Sequence, residues 1–230
     1  MAGRAAMERQ GYDDARSAFT TLIDDEQVRK VSPRVHVEAS FALGDLTMIE
    51  LGGAAQDQIK KLTQSTNAFY SIIQVNPTNA VAARAWGRIG DCCLRVSGDQ
   101  PGYQVHAQTA YEMSLAVTGP VPVNVRSQAH IGLAYALERQ AGGQEGGKML
   151  QESVDHLLAV FFGRHLRPGE KQDPYWRGQS GMIVLRLLEQ LGSYDAALKI
   201  CVEMEEDFVG MRSKLKARRE RLQKLKDEHP

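Results

Sequence analysis

Cysteine is scarce: three in 230 residues, too few for a disulfide framework. Cys92 and Cys93 are adjacent, a spacing that meets disulfide geometry poorly. No C-x-x-C pair exists, so metal or redox work by thiols is disfavoured. Long apolar runs are missing too, none approaching the ~18 residues of a membrane span. The opening stretch MAGRAAMERQ lacks the apolar core of a secretory signal. A cytoplasmic setting is expected from these absences. Net charge is also absent, with 28 Lys and Arg against 28 Asp and Glu. No whole-molecule field therefore favours nucleic acid.

Catalytic signatures are lacking as well. There is no G-x-S-x-G, Walker loop or G-x-G-x-x-G. The histidines stand at 36, 106, 130, 156, 165 and 229, and no two flank a glutamate at i, i+4 as a zinc-protease helix requires. His130 and His156 read as ordinary helix residues. The run GGQEGG at 142–147 has neither a following Lys-Ser nor a preceding strand, and reads as a flexible loop. The expectation is a non-enzymatic protein, with no catalytic residue, no metal and no cofactor.

What is present is helical periodicity. The composition, 43% hydrophobic and 24% charged, suits a globular chain with a real core. FALGDLTMIEL, AFYSIIQV, SQAHIGLAYAL, MLQESVDHLLAVFF and GMIVLRLL place apolar residues three and four apart, and nothing of useful length alternates like a strand. Gly and Pro fall between these segments, at GG 52–53, NPTN 76–79, SGDQPG 97–102, TGPVP 118–122 and RPGEKQDP 167–174. About ten helices joined by short loops are predicted, with no obvious linker.

The helices repeat a pattern. Trp86-x-x-Ile89-Gly90-x-x-Cys93 matches Gln128-x-x-Ile131-Gly132-x-x-Tyr135, and more loosely Ser40-x-x-Leu43-Gly44-x-x-Thr47. Downstream helices carry a small residue and a large one four later: Ala15/Phe19, Ser65/Phe69, Ala107/Tyr111 and Ala197/Cys201. The small residues allow close helix approach and the large ones fill the gap to the next pair. This resembles the tetratricopeptide repeat, W-x-x-L-G-x-x-Y followed by A-x-x-x-F. The resemblance implies an all-α, right-handed α-solenoid of about five degenerate helix pairs over 1–210, with a basic C-terminal capping helix over 211–230. Aligned on Gly3, Gly44, Gly90, Gly132 and Leu185, the steps are 41, 46, 42 and 53 residues. They exceed the usual ~34. A step near 42 is similar to the kinesin light chains. The same register puts Met1 midway through a first helix, so repeat one is expected to be truncated.

The resemblance also implies a ligand groove lined by first helices. Carried over by position, its lining is Glu38, Phe41, Asp45 and Met48; Arg84, Asp91, Leu94 and Arg95; Arg126, Leu133 and Leu137; and Gln179, Met182 and Arg186. Charged residues mixed with apolar anchors suit an extended protein ligand. Asp45, Asp91, Leu133 and Arg186 stand where chaperone-binding members carry an asparagine, which argues against a chaperone-tail clamp.

The last twenty residues hold eight Lys and Arg against three Asp and Glu, a surplus of five. Met211, Leu215, Leu222 and Leu225 form one apolar stripe, as a capping helix requires. The basic side chains Arg212, Lys214, Lys216, Arg218, Arg219, Arg221, Lys224 and Lys226 offer a surface for an acidic partner. The kinesin-light-chain likeness implies a protein adaptor on a cytoskeletal polymer, in particular bacterial tubulin filaments. An anionic membrane surface and a docked catalytic partner are the alternatives, and nucleic acid is least favoured.

Overall fold

A computed structural model describes residues 3, 7, 11–49, 55–98, 102–142 and 146–228. The loop readings at 52–53, 99–101 and 143–145 lie outside them, as does His229. Among the described residues the chain is all-helical, with no strand. It divides into two compact units, Met1–Val121 and Pro122–Pro230.

The first unit holds α1 (Tyr12–Asp24), α2 (Glu26–Val31), α3 (Pro33–Ile49), α4 (Ala55–Val75), α5 (Ala80–Val96) and α6 (Tyr103–Ala116). The second holds α7 (Val123–Gln140), α8 (Gly146–Phe161), α9 (Pro174–Gln190), α10 (Tyr194–Asp207) and α11 (Arg212–Glu228), the last two joined by a 3-10 turn at Val209–Met211. From α3 to α6, and again from α7 to α11, each helix packs on the next in sequence. The short helix α2 is not foreshadowed by periodicity. Its signal is Asp25, whose carboxylate accepts from Gln27 N at 2.8 Å and Val28 N at 3.2 Å.

Local chemistry sets the boundaries. Asn79 caps α5, its side-chain oxygen accepting from Val81 N at 2.9 Å and Ala82 N at 3.3 Å. Asp173 caps α9 in the same way, with Pro174 at the first helical position. Gly192 ends α9 at φ 67°, a left-handed conformation that glycine adopts without strain. Gly119 brings the TGPVP loop against NPTN. A Cβ there would overlap Thr78 O, so the two loops meet backbone to backbone.

The small/large pairs are internal. Ala15, Ser65, Phe69, Ala107, Ala197 and Cys201 have no exposed surface, and Tyr111 keeps 1%. The glycines explain why the helices come so close. A Cβ on Gly90 would lie 2.6 Å from Tyr111 Cζ, and one on Gly3 would lie 2.6 Å from Phe19 Cε1. On Gly44 it would overlap the Phe69 ring. In each case the glycine faces the large residue of its own pair. The pair α7–α8, for which the sequence reading names no small residue, uses Ser153, whose hydroxyl donates to Ala134 O at 2.9 Å. In α9–α10 the close approach lies one turn earlier than Leu185. Gly181 is its centre, with a built Cβ 2.6 Å from Met204 Sδ. Leu185 and Cys201 are both fully buried in one cluster. A large residue on α9 is thus matched by a small one on α10, reversing the glycine–aromatic arrangement.

Candidate functional site

The first unit gathers several groove candidates at one place. Helix α3 carries Glu38, Phe41 and Asp45 at spacings of three and four, hence on one face. Helix α5 carries Arg84, Arg88 and Asp91 likewise. The Arg84 guanidinium stacks over the Phe41 ring, 4.4 Å from its centroid. Arg88, which the sequence reading passes over, joins the two helices. Its Nε donates to Asp45 Oδ1 at 2.9 Å and its Nη1 to Asp91 Oδ2 at 2.9 Å. Tyr111 Oη donates to the other Asp91 oxygen at 2.7 Å. Burial pushes the Asp91 carboxyl up, against the pull of Tyr111 and Arg88. Burial, and then Asp91, keep the Tyr111 hydroxyl protonated. Three helices are thereby locked beside a cavity of ≈ 310 Å³ lined by Met7, Glu38, Phe41, Ala42, Asp45 and Arg84.

The remaining candidates of this unit flank that cavity in sequence. Met48, Asp91 and Leu94 are half-buried, and Arg95 is exposed.

In the second unit the candidates divide differently. Leu133 and Leu137 are each 3% exposed, so packing holds the side chains that were expected to face a ligand. Arg126 is 7% exposed and ion-paired with Glu170 from the RPGEKQDP loop. That arginine is thus a strut beneath a loop, and it presents no surface to a partner. Arg186 reaches solvent but is held by Glu138 in a two-pronged bridge of 2.5 and 2.7 Å. Met182 packs against the core cluster, and Gln179 is exposed.

A histidine network accompanies Arg126. His130 Nδ1 and His156 Nδ1 are 3.0 Å apart, so one donates to the other. The His165 ring centroid lies 5.7 Å from that of His130. His165 Nε2 sits 2.8 Å from Ser127 Oγ, and its Nδ1 sits 3.1 Å from Ala159 O. The carbonyl takes a proton from Nδ1, so the serine hydroxyl donates to Nε2. Ser127 is 1% exposed. Burial, then His156, His165 and Arg126, pull His130 down to about 3. His130 and His156 thus do more than fill helix positions, and only their spatial pairing reveals it.

The cysteines are interior. Cys92 Sγ lies 3.2 Å from Ser65 Oγ, and Cys201 donates to Leu215 O at 3.1 Å. Burial pushes the Cys92 thiol up to about 12 and Cys93 up to about 11. Both stay protonated at neutral pH and are poor nucleophiles. Among the described residues no cluster of three or more His, Cys, Asp or Glu is placed to hold a metal ion.

Helix α11 packs on α10 through Leu215 and Leu222, 1% and 0% exposed. Its basic face is largely engaged. Arg218 and Arg221 both bind Glu189 at 2.5 Å, Arg219 lies 2.9 Å from Glu205, and Lys226 reaches Asp195 at 2.6 Å. Arg212 Nε donates to Glu205 O at 3.0 Å, and Lys224 pairs with Glu228 along the helix. Lys214 and Lys216 are exposed. The sequence alone suggests that reversing charge at Lys214, Lys216, Arg218 and Arg219 leaves the fold intact. For the two arginines that expectation is replaced. We predict that Arg218→Glu costs about 1–2 kcal/mol, because it sets a carboxylate against half-buried Glu189. Lys214→Glu should stay within about 0.5 kcal/mol of wild type. Urea denaturation compares them, and equal midpoints would show that the Glu189 bridges do not hold α11.

No family model, curated protein or solved structure matches the chain. The functional reading therefore stands on these residues alone. Among the described residues no helix is long and apolar enough to cross a membrane.

Proposed function

We propose that the chain is a non-enzymatic protein-binding scaffold. In this reading the helix pairs of each unit are degenerate tetratricopeptide repeats, wound right-handedly as in that family. The observation that carries it is the convergence of Glu38, Phe41, Asp45 and Arg84, four positions chosen from the repeat register, on one ≈ 310 Å³ cavity. Arg84 presents a cation braced by an aromatic face, and Glu38 of α3, paired with exposed Arg34 at 3.1 Å, presents an anion. Ala42 and Met7 supply apolar wall. Such a groove suits an extended segment with charges of both signs around a small apolar anchor.

A bacterial tubulin filament is the partner that the ~42-residue spacing brings forward. The groove is a better contact than the tail for it, since Glu189, Glu205 and Asp195 already engage much of the basic face.

Panning a library of linear peptides against the wild-type chain and an Arg84→Ala/Glu38→Ala variant tests the groove. The expected result is a peptide family that loses at least tenfold in affinity for the variant, about the value of two modest polar contacts. Peptides that bind both proteins equally would place the binding surface elsewhere. Co-sedimentation with filaments tests the specific partner, and a chain left wholly in the supernatant would exclude it.

A further inference from the structure

Helix α5 has a second working face. Trp86, Ile89 and Cys93 lie opposite Arg84, Arg88 and Asp91 at the helical repeat. There, between α4, α5 and α6, lies another cavity of ≈ 310 Å³. The repeat register assigns Trp86 to packing, yet Trp86 is only half-buried because it forms a wall of this cavity.

The wall chemistry is unusual. The Tyr70 and Trp86 rings meet at 89° with centroids 5.4 Å apart, giving two perpendicular aromatic surfaces. Tyr103 and His106 add a second ring pair at 5.6 Å. Among the described residues that line it there is no carboxylate, ammonium or guanidinium. Three threonines also line it, beside Leu62, Ile89, Cys93 and Ala110, and each donates its proton to its own helix. Thr63 donates to Ile59 O at 2.9 Å, Thr66 to Leu62 O at 2.9 Å and Thr109 to Val105 O at 3.1 Å. Their hydroxyl oxygens are left as acceptors.

A pocket of aromatic faces and polar groups without a fixed charge selects its ligand by charge and hydration. An anion finds no lysine or arginine among the described lining residues, and the threonine protons are turned into their own helices. A bare ammonium, strongly hydrated, finds no carboxylate to replace its water. A methylated ammonium is weakly hydrated and positively charged, and it is stabilised by the negative face of each ring. We propose that this cavity binds a quaternary or otherwise methylated ammonium group, seated in the corner between Tyr70 and Trp86. The site lies on the face of α5 opposite the peptide groove and does not depend on it.

The test uses the intact chain carrying Trp176→Phe, which leaves Trp86 as the single tryptophan. Tetramethylammonium should quench Trp86 fluorescence saturably. Choline should do the same, and its uncharged isostere, 3,3-dimethyl-1-butanol, should bind at least tenfold more weakly than choline. Tyr70→Leu, at a residue 42% exposed, should keep the circular dichroism of the parent and lose roughly tenfold in affinity. A peptide bearing trimethyl-lysine distinguishes the two sources of the group. Tighter binding than the free ion points to a modified protein chain, and equal or weaker binding points to a small molecule. Equal quenching by the isostere, affinity unchanged in Tyr70→Leu, or no saturable quenching would each overturn the proposal.

Discussion

Acidification from pH 7 to 5 should remove about 2 kcal/mol from the stability of the second unit, through His130. Folded His130 titrates near 3. The unfolded histidine titrates near ~6.5. The folded pKa is the lower one, so the unfolded chain takes up the proton first as pH falls. The stabilisation is therefore fully present above about pH 6.5 and is lost progressively as pH drops toward 3. The full difference, 6.5 − 3 = 3.5, corresponds to on the order of 4–5 kcal/mol. Every element around the ring contributes. Helix α7 supplies Arg126, α8 supplies His156, and the following loop supplies His165, while Glu170 of that loop pairs with Arg126. Glu170 is held low, chiefly by its bond to Arg126, so its charge persists over the same range. Trp176 lies in the second unit and Trp86 in the first. Urea midpoints read from Trp176 in a Trp86→Phe chain isolate the effect. His130→Leu should lessen the dependence between pH 7 and 5, leaving the part that half-buried His165, also lowered by burial, contributes. A parent midpoint that does not move over that range would contradict the buried, neutral histidine.

The second large effect concerns Gly90. Gly→Ala within a helix ordinarily stabilises by up to ~1 kcal/mol. Here the sign should invert, with a loss of about 1–3 kcal/mol. The added Cβ would stand 2.6–2.8 Å from three Tyr111 ring atoms. The ring has no room to retreat, because Tyr111 is 1% exposed and its hydroxyl is fixed to Asp91, which Arg88 holds in turn. Gly147→Ala is the control. That helical position has nothing within 4 Å, so substitution should be neutral or stabilising. Tyr111→Leu should relieve part of the Gly90→Ala loss, because the ring that the Cβ would meet is gone. Thermal melts compare the set. A Gly90→Ala chain that melts at or above wild type would refute the close approach of α5 and α6.

These outcomes also mark what a sequence can disclose. Packing leaves a periodic trace, since a glycine must face whatever large side chain the next helix presents. Gly44 with Phe69 and Gly90 with Tyr111 were legible for that reason, and so was the burial of Ala15, Ser65, Ala107 and Ala197. Gly181 was missed because the close approach moved one turn along α9 and Leu185 took the aligned position. Charge pairing leaves no such trace. Arg88 reaches Asp45 across 43 positions, Arg126 reaches Glu170 across 44, and Arg218 reaches Glu189 across 29. No local pattern links these partners. The basic tail looked available from composition alone, and it is the acids of α9 and α10 that occupy it. Leu133 and Leu137 were placed in the groove by analogy of position, while burial depends on what packs against them. The Tyr70–Trp86 cavity was unreadable for a related reason, because a void is a property of three helices together.

The most direct measurement of the scaffold reading is a hydrogen-exchange footprint of the chain with and without a peptide recovered by panning. Protection is predicted over 38–48 and 84–95, the segments of α3 and α5 that carry Glu38, Phe41, Asp45 and Arg84, with α11 unchanged. Protection confined to 212–228, or none in the first unit, would contradict it.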